Sequence, residues 1–330
     1  NTSELQKDVM YKYERKIKNT TDNEFYYEKN PNNFIGKLAL IYASDYGYAA
    51  ENCESSKLSA LSTCNDSNWL YNLKVDEWLL NQRPGWSNVV YKVSSSGTVT
   101  TSDGSVCIGS GTCESSSKGV EDFSYAIRPV LYLNSKVNII GGSGTSTRPY
   151  RISYEEEPAT LITKNTIATD GIISIAGKNG IEKITHAASS SLQIGATTSM
   201  TEYRYRGENP FNYVTFNDET WRILGVFPVD DGNGNIENRV KIIRNESIKN
   251  DKWNTSSSNI WYSSSLSTYL NDTYYNSIND VYKKMIVFSK YYLGGSGSDS
   301  ITVLNAYSYE RQKSGTSYFR NGIYNWVGKI

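Results

Sequence analysis

Two stretches near opposite ends of this 330-residue chain are copies of one another, and that repetition restricts the available folds more than any local pattern does. Met10-Tyr11-Lys12-Tyr13-Glu14-Arg15-Lys16 is followed by Phe34-Ile35-Gly36-Lys37-Leu38. Ala306-Tyr307-Ser308-Tyr309-Glu310-Arg311-Gln312 is followed by Trp326-Val327-Gly328-Lys329-Ile330. Each copy reads Tyr-x-Tyr-Glu-Arg, then a polar loop, then aromatic-aliphatic-Gly-Lys-aliphatic. The first runs on into Ala39-Leu40-Ile41-Tyr42. A period of about 290 to 300 residues is the size of a whole domain and far exceeds a solenoid unit. The chain is therefore expected to begin in mid-domain. Residues 1–153 read as the back half of one domain copy, 154–202 as a connector or small β element, and 203–330 as the front half of the next copy.

Composition narrows the class. Thirty-four basic and 34 acidic side chains balance, which gives no electrostatic reason to expect nucleic acid or an anionic membrane as partner. No apolar run approaches the roughly 18 to 20 residues of a membrane-spanning helix. Tyrosine is abundant at 27 against 8 phenylalanines, a bias toward side chains with an apolar body and a polar tip that suit half-wet surfaces.

The four cysteines fall into two close pairs, Cys53 with Cys64 and Cys107 with Cys113, each bracketing a polar, turn-rich segment. Two local disulfides pinning surface loops are the simplest reading, although four cysteines allow three pairings. The spacing is not C-x-x-C and no histidine lies near, so a zinc site is disfavoured. Disulfides place the protein outside the reducing cytosol.

Local patterns give an α+β chain with more strand than helix. The run 38–48 reads as a buried strand entering a helix capped by Ser44 or Asp45. Residues 88–101 read as a hairpin turning at Ser-Ser-Gly, and 126–133 as a strand placed at an edge or bulge by Pro129. Within 159–200, Ile172–Ile175 and Ile181–Ile184 read as short strands. Tyr213–Asn217 and Thr220–Phe227 form a hairpin across Asn217-Asp218, and Val240–Arg244 pairs next. Two helices follow, over 264–275 and 278–288.

Placed in the order front half then back half, the motifs form a recognisable series. The front half supplies Thr220-Trp221-Arg222-Ile223-Leu224, then Trp253, then Trp261-x-x-Ser264-Ser265-Leu266-x-x-Tyr269-Leu270-Asn271. The back half supplies Leu38-Ala39-Leu40-Ile41-Tyr42-Ala43-Ser44, Glu77-Trp78-Leu79-Leu80-Asn81 and Ile127-Arg128-Pro129-Val130-Leu131-Tyr132-Leu133. This series resembles an uncharacterised domain family of Gram-positive bacterial surface proteins. It is similar to the C-type-lectin-like fold shared with formylglycine-generating enzymes and several adhesins. The resemblance covers 38–153 and 203–330, and it departs from the family in having the halves swapped. It implies an extracellular, cell-surface location and a C-type-lectin-like domain built from two half-domains.

Site candidates follow. His186 is the only histidine, which excludes a three-histidine metal centre and argues against a histidine-based triad; no enzyme activity and no cofactor are expected. Asp231, Asn233, Asn235 and Glu237 alternate as oxygen donors in a calcium-like loop, but the spacing fails the EF-hand pattern and a hairpin tip is preferred. Of the seven tryptophans, Trp86 beside Gly85 is the one expected to be exposed and to offer a ligand surface, while the others are read as core. Glu14-Arg15 and Glu310-Arg311 are read as structural ion pairs beside a Tyr-x-Tyr strand. The half-domain junction is assigned to Gly36, Lys37, Leu38 and Leu40 with Trp326, Gly328, Lys329 and Ile330, the second set expected to lie against residues 36–42 of its complementing half.

Two functions remain open: a structural subunit or repeat of a surface filament, partnered by itself, or an adhesin that binds a host or microbial glycan or protein. The complementing half is expected from a neighbouring copy, with closure inside one chain as the alternative. Peptide mass mapping of the unreduced protein should recover Cys53–Cys64 and Cys107–Cys113 links, loops of a size worth up to about 3 kcal/mol each in the chain-entropy model. A Cys53–Cys107 link would contradict the local pairing.

Overall fold

The computed structural model describes residues 33–84, 86, 88–102, 106–107, 113–114, 119–154 and 166–313. Strand makes up 36 % and helix 22 %, which sets the class as β-rich α+β. In the first half of the chain the strands are β1 (Asn33–Gly36), β2 (Leu38–Ala39), β3 (Glu77–Gln82), β4 (Val90–Val93), β5 (Val99–Thr101), β6 (Val106–Cys107), β7 (Cys113–Glu114), β8 (Tyr125–Ala126), β9 (Val130–Tyr132), β10 (Val137–Gly141) and β11 (Tyr150–Tyr154). The second half supplies β12 (Thr166–Ile167), β13 (Ile181–His186), β14 (Met200–Tyr205), β15 (Tyr213–Phe216), β16 (Glu219–Asp230), β17 (Ile236–Arg244), β18 (Asn250–Asp251) and β19 (Ser289–Tyr292).

Strands from the two halves alternate in space. The main ten-stranded sheet runs β12-β10-β11-β15-β16-β17-β9-β2, with β14 joined to β16 and β13 to β14. Thus β9 lies between β17 on one side and β2 on the other, and β11 runs parallel to β15. A second, five-stranded sheet is ordered β18-β8-β3-β4-β5 and again mixes the halves at β18-β8. One hydrophobic cluster spans both halves, from Leu38 and Trp78 to Trp221 and Tyr307. Closure therefore occurs within one chain, where a neighbouring copy was expected. The reason lies in 166–205, which is not a slack tether: β12 pairs with β10, and β13 and β14 extend the sheet from β16, holding the halves side by side.

Buried tryptophans stitch the halves through their indole N–H groups. Trp69 donates to the Tyr205 carbonyl at 2.8 Å, Trp78 to Asp251 at 2.8 Å and Trp253 to Leu79 at 3.2 Å. Each buries a large ring while its polar edge is satisfied across the interface. Arg128, just before Pro129, turns inward to a two-pronged contact with Glu77 at 2.7 and 2.6 Å. Pro129 interrupts the predicted strand, dividing it into β8 and β9.

Several local readings hold. The β15–β16 hairpin turns on Asn217 (φ 53°) and Asp218 (φ 59°), the left-handed pair that a two-residue hairpin needs. Ser264 caps the helical segment beginning at Ser265 by accepting from Ser267 N–H at 3.0 Å. That segment widens into a π-helical turn over Tyr269–Tyr274.

Others are corrected. Ile172–Ile175 is not a strand: Ala168–Ser174 is a helix whose Ala168 and Ile172 are buried at helical spacing. The helix expected over 278–288 is only Asp280–Lys283. Beyond it Ile286 bridges to Leu133 and Val287 N–H donates to the Tyr132 carbonyl, so an open strand edge takes the chain. The helix Ala43–Tyr48 is capped at Tyr42, two or three residues before the expected cap at Ser44 or Asp45, and Asp45 sits inside it, reaching back to Tyr42 N–H at 3.2 Å. Tyr307-Ser308-Tyr309-Glu310 lies in the helix Val303–Glu310, not in a strand.

Leu131, fully buried in β9, touches strands of both halves. Leu131→Ala should cost about 2–5 kcal/mol. Because both halves share its core, urea unfolding followed by tryptophan fluorescence and by far-UV circular dichroism should shift together as one transition.

Candidate functional site

The half-domain junction assigned from the repeat is the first site. β1 pairs antiparallel with β19 as a separate two-stranded sheet, in the register Asn33↔Tyr292 to Gly36↔Ser289. Phe34 stands edge-on to Trp261, ring centres 6.3 Å apart. A Cβ on Gly36 would meet the Phe34 ring at 2.1 Å, so the glycine leaves that ring its seat. Lys37 lies over the Tyr275 ring at 3.9 Å, donates to the Tyr275 hydroxyl, and has its pKa lowered by burial and by Lys283. Asn271 clamps the junction: its Oδ1 accepts from Lys37 N–H at 3.1 Å and Leu38 N–H at 3.0 Å, and its Nδ2 donates to the Leu38 carbonyl at 2.9 Å. Leu38 and Leu40 are fully buried. The structure thus brings Gly36, Lys37, Leu38 and Leu40 together against the front half. Trp326, Gly328, Lys329 and Ile330 lie outside the described residues.

The second feature was not anticipated. Asp45, from the back half, is buried between two cations of the front half: Arg204 Nη1 at 2.8 Å and Lys241 Nζ at 2.5 Å. Arg204 in turn holds Glu202 at 2.7 Å, and Glu202 meets His186 Nε2 at 3.2 Å. His186 stacks on Tyr307 at 3.5 Å, and Arg311 also lies over the Tyr307 ring, at 3.7 Å, with the Tyr42 ring 5.1 Å away. Arg311 pairs with Glu310 at 2.9 Å, and Glu310 accepts from Ser44 N–H at 2.9 Å, from the Ser44 hydroxyl and from Asn81. Three carboxylates face three cations, all at most 4 % exposed.

The charges follow from this geometry. Burial opposes ionisation of Asp45, but Lys241 and Arg204 outweigh it and hold the carboxyl below its ordinary range. Burial likewise opposes ionisation of Glu202, and Arg204 and His186 overcome it. Glu310 goes the other way: burial raises it, and Arg311 and Ser44 only partly compensate.

The expected ion pair Glu310-Arg311 is therefore present but belongs to a helix and to this buried cluster; Glu14-Arg15 lies outside the described residues. Arg204, Glu202 and Lys241 carried no readable signal, since a charge inside a strand looks like an ordinary solvent-facing position. His186 stands out in the sequence only as its one histidine.

The remaining candidates are placed as follows. Cys53 and Cys64 form a disulfide with Cα atoms 6.5 Å apart. Cys107 and Cys113 stand directly opposite in the β6–β7 register. Trp86 is 43 % exposed, with the Arg83 guanidinium 5.1 Å from its ring and its carbonyl held by Asn259. Five other tryptophans, at 69, 78, 221, 253 and 261, are core. In the 230–237 loop Asp231 is used by the turn itself, accepting from Asn233 N–H, Asn235 N–H and Asn235 Nδ2, which is a hairpin tip. Glu237 pairs with Arg239. No group of three or more His, Cys, Asp or Glu side chains is arranged to hold a metal among the described residues. No described helix is long and apolar enough to cross a membrane. A crevice beside the Ser44–Glu310 contact, lined by Asn81, Tyr91 and Ser296, carries no carboxylate, histidine or thiol.

Comparison with protein-family models, with curated proteins and with solved structures gave no match.

Asp45 and Glu202 have folded pKa values below their unfolded ones, so the stability they add is present above about pH 4 and is lost as pH falls through their folded values. Glu310 contributes with the opposite sign, its folded pKa being raised. Asp45→Asn should cost about 3–5 kcal/mol at neutral pH, because it leaves two buried cations short of a charge. The same variant should flatten the acid side of the stability–pH curve measured by urea denaturation.

Proposed function

We propose that this chain is a structural protein of the bacterial cell surface, a subunit or repeat of an extracellular filament assembled by complementation of half-domains. The observation that carries the reading is the terminal repeat at the β1–β19 joint: the chain holds two sequences that fit one edge slot, so one copy can supply an edge strand to another. The two halves complement each other, β9 of the back half lying between β17 and β2, so neither closes a core by itself, and within one chain that need is already met. The Cys53–Cys64 disulfide suits an oxidising, extracellular setting. The series of motifs supports a C-type-lectin-like frame with front and back halves permuted. On this reading the chain is not an enzyme: its densest cluster of ionisable groups is buried and mutually paired, as a structural element would be.

A second reading is favoured by one observation, the exposure of Trp86 with Arg83 stacked on it, a flat platform of the kind that binds sugar rings or protein loops. That reading makes the chain an adhesin for a glycan or protein.

Negative-stain electron microscopy of the purified protein without ligand separates the two. The filament reading expects linear assemblies that lengthen with concentration. Monomers together with glycan-array binding that Trp86→Ala removes would replace it with the adhesin reading.

A further inference from the structure

The junction slot beside β19 has two sequences in the same chain that fit it. Asn33-Phe34-Ile35-Gly36-Lys37-Leu38 occupies it, and Asn325-Trp326-Val327-Gly328-Lys329-Ile330 repeats that hexapeptide with three identities and three conservative changes. The identities fall where the slot is most demanding. Asn33 donates to Gln193 Oε1 at 2.9 Å. Gly36 is the position where a Cβ would strike the ring of Phe34 in the same strand, the ring that the slot seats against Trp261. Lys37 lies over Tyr275 while its backbone is clamped by Asn271. The changes fall where a similar shape suffices: Trp for Phe against Trp261, Val for Ile in the strand, Ile for Leu at the clamp's end.

The slot is also one a strand can leave. β1 is four residues long and, among the described residues, pairs with β19 alone and contributes to neither large sheet. Phe34 and Ile35 are only partly buried, whereas Leu38 and the residues after it lie fully in the core. A break in attachment is therefore placed at Lys37-Leu38, with everything before it exchangeable.

We propose that residues 325–329 of one copy of this chain add to β19 of a second copy in the place of 33–37, so that strand exchange at the Asn271 clamp joins copies head to tail. This rests on the filament reading and specifies its joint. The exchanged strand remakes the same backbone ladder and the same cation–aromatic contact, so little free energy separates the closed from the exchanged state, and local concentration decides between them. The backbone bonds set the register and the Gly-Lys pair makes it selective, as in other strand-addition recognition.

Cysteine cross-linking tests this with two differently tagged full-length chains expressed together. In the register of β1 with β19, Ile35 faces Lys290, so Val327 of a donor chain should face Lys290 of an acceptor. A Lys290→Cys acceptor and a Val327→Cys donor should give a disulfide-linked heterodimer on a non-reducing gel. Adding Gly328→Ala to the donor should reduce that product several-fold, since at the matching position, Gly36, an added methyl would meet the aromatic ring two residues before it, while leaving the donor's own melting temperature unchanged because its own slot uses Gly36. A single chain with Ile35→Cys and Lys290→Cys, which should close on itself, checks that the two positions can be bridged. Absence of heterodimer while that control closes overturns the proposal, as does a heterodimer indifferent to Gly328→Ala. Filaments by microscopy without the heterodimer would overturn the proposal and leave the filament reading standing. A Gly328-dependent heterodimer with no filaments would do the reverse.

Discussion

Asp45 holds the architecture together by being in the wrong half for its partners. Its carboxylate comes from a helix at the start of the back half, and both cations that neutralise it, Arg204 and Lys241, come from strands on the other side of the 166–199 segment. A carboxylate this deeply buried is tolerable only when its charge is met at close range. Replacing such a cluster wholesale with apolar side chains need not destabilise the protein, but removing one member leaves charge stranded in a low-dielectric core. The cluster therefore works as a specificity device: any pairing of halves that does not bring Asp45 to Arg204 and Lys241 is penalised.

The aromatic layer depends on the same arrangement. Arg204 packs 4.8 Å from the Tyr48 ring and 4.6 Å from that of Phe227, and Lys241 lies 4.5 Å from Tyr42. Buried cations set over ring faces are stabilised by the ring quadrupoles as well as by the carboxylates. Burial pushes the Tyr48 hydroxyl up to about 12, so these rings stay neutral across any physiological pH. The abundance of tyrosine thus has an internal use as well as a surface one: rings that pack as hydrophobes and still meet charge at their faces.

The two kinds of joint in the molecule differ in strength for visible reasons. The interface between β9 and β17, backed by the core and the indole hydrogen bonds, is part of one hydrophobic cluster that both halves share. The β1–β19 joint is short, half-exposed and held by one asparagine, a lysine over a ring and a glycine that makes room. The proposed strand exchange would use this division, leaving the shared core in place and replacing the short edge strand.

The sequence by itself determined the elements with strong local codes. Asn217-Asp218 dictated a two-residue hairpin because those residues tolerate the left-handed conformation it requires. Ser264 dictated a helix start, and the close spacing of Cys53 and Cys64 favoured the local disulfide that forms. It also marked five tryptophans as core and Trp86 as exposed. Tertiary structure alone decided the rest. Ile172–Ile175 became helix because its apolar spacing suits a helix lying on the sheet as well as it suits a strand, and only the packing chooses. The segment 286–287 left its helical pattern because an unpaired strand edge at 132–133 offered hydrogen bonds. Above all, nothing local marks Arg204, Glu202 or Lys241 as buried: in a strand, alternate positions face opposite sides, and which side is core depends on a helix more than 150 residues away in sequence. Charges that look solvent-facing along the chain become the centre of the protein when the two halves close on each other.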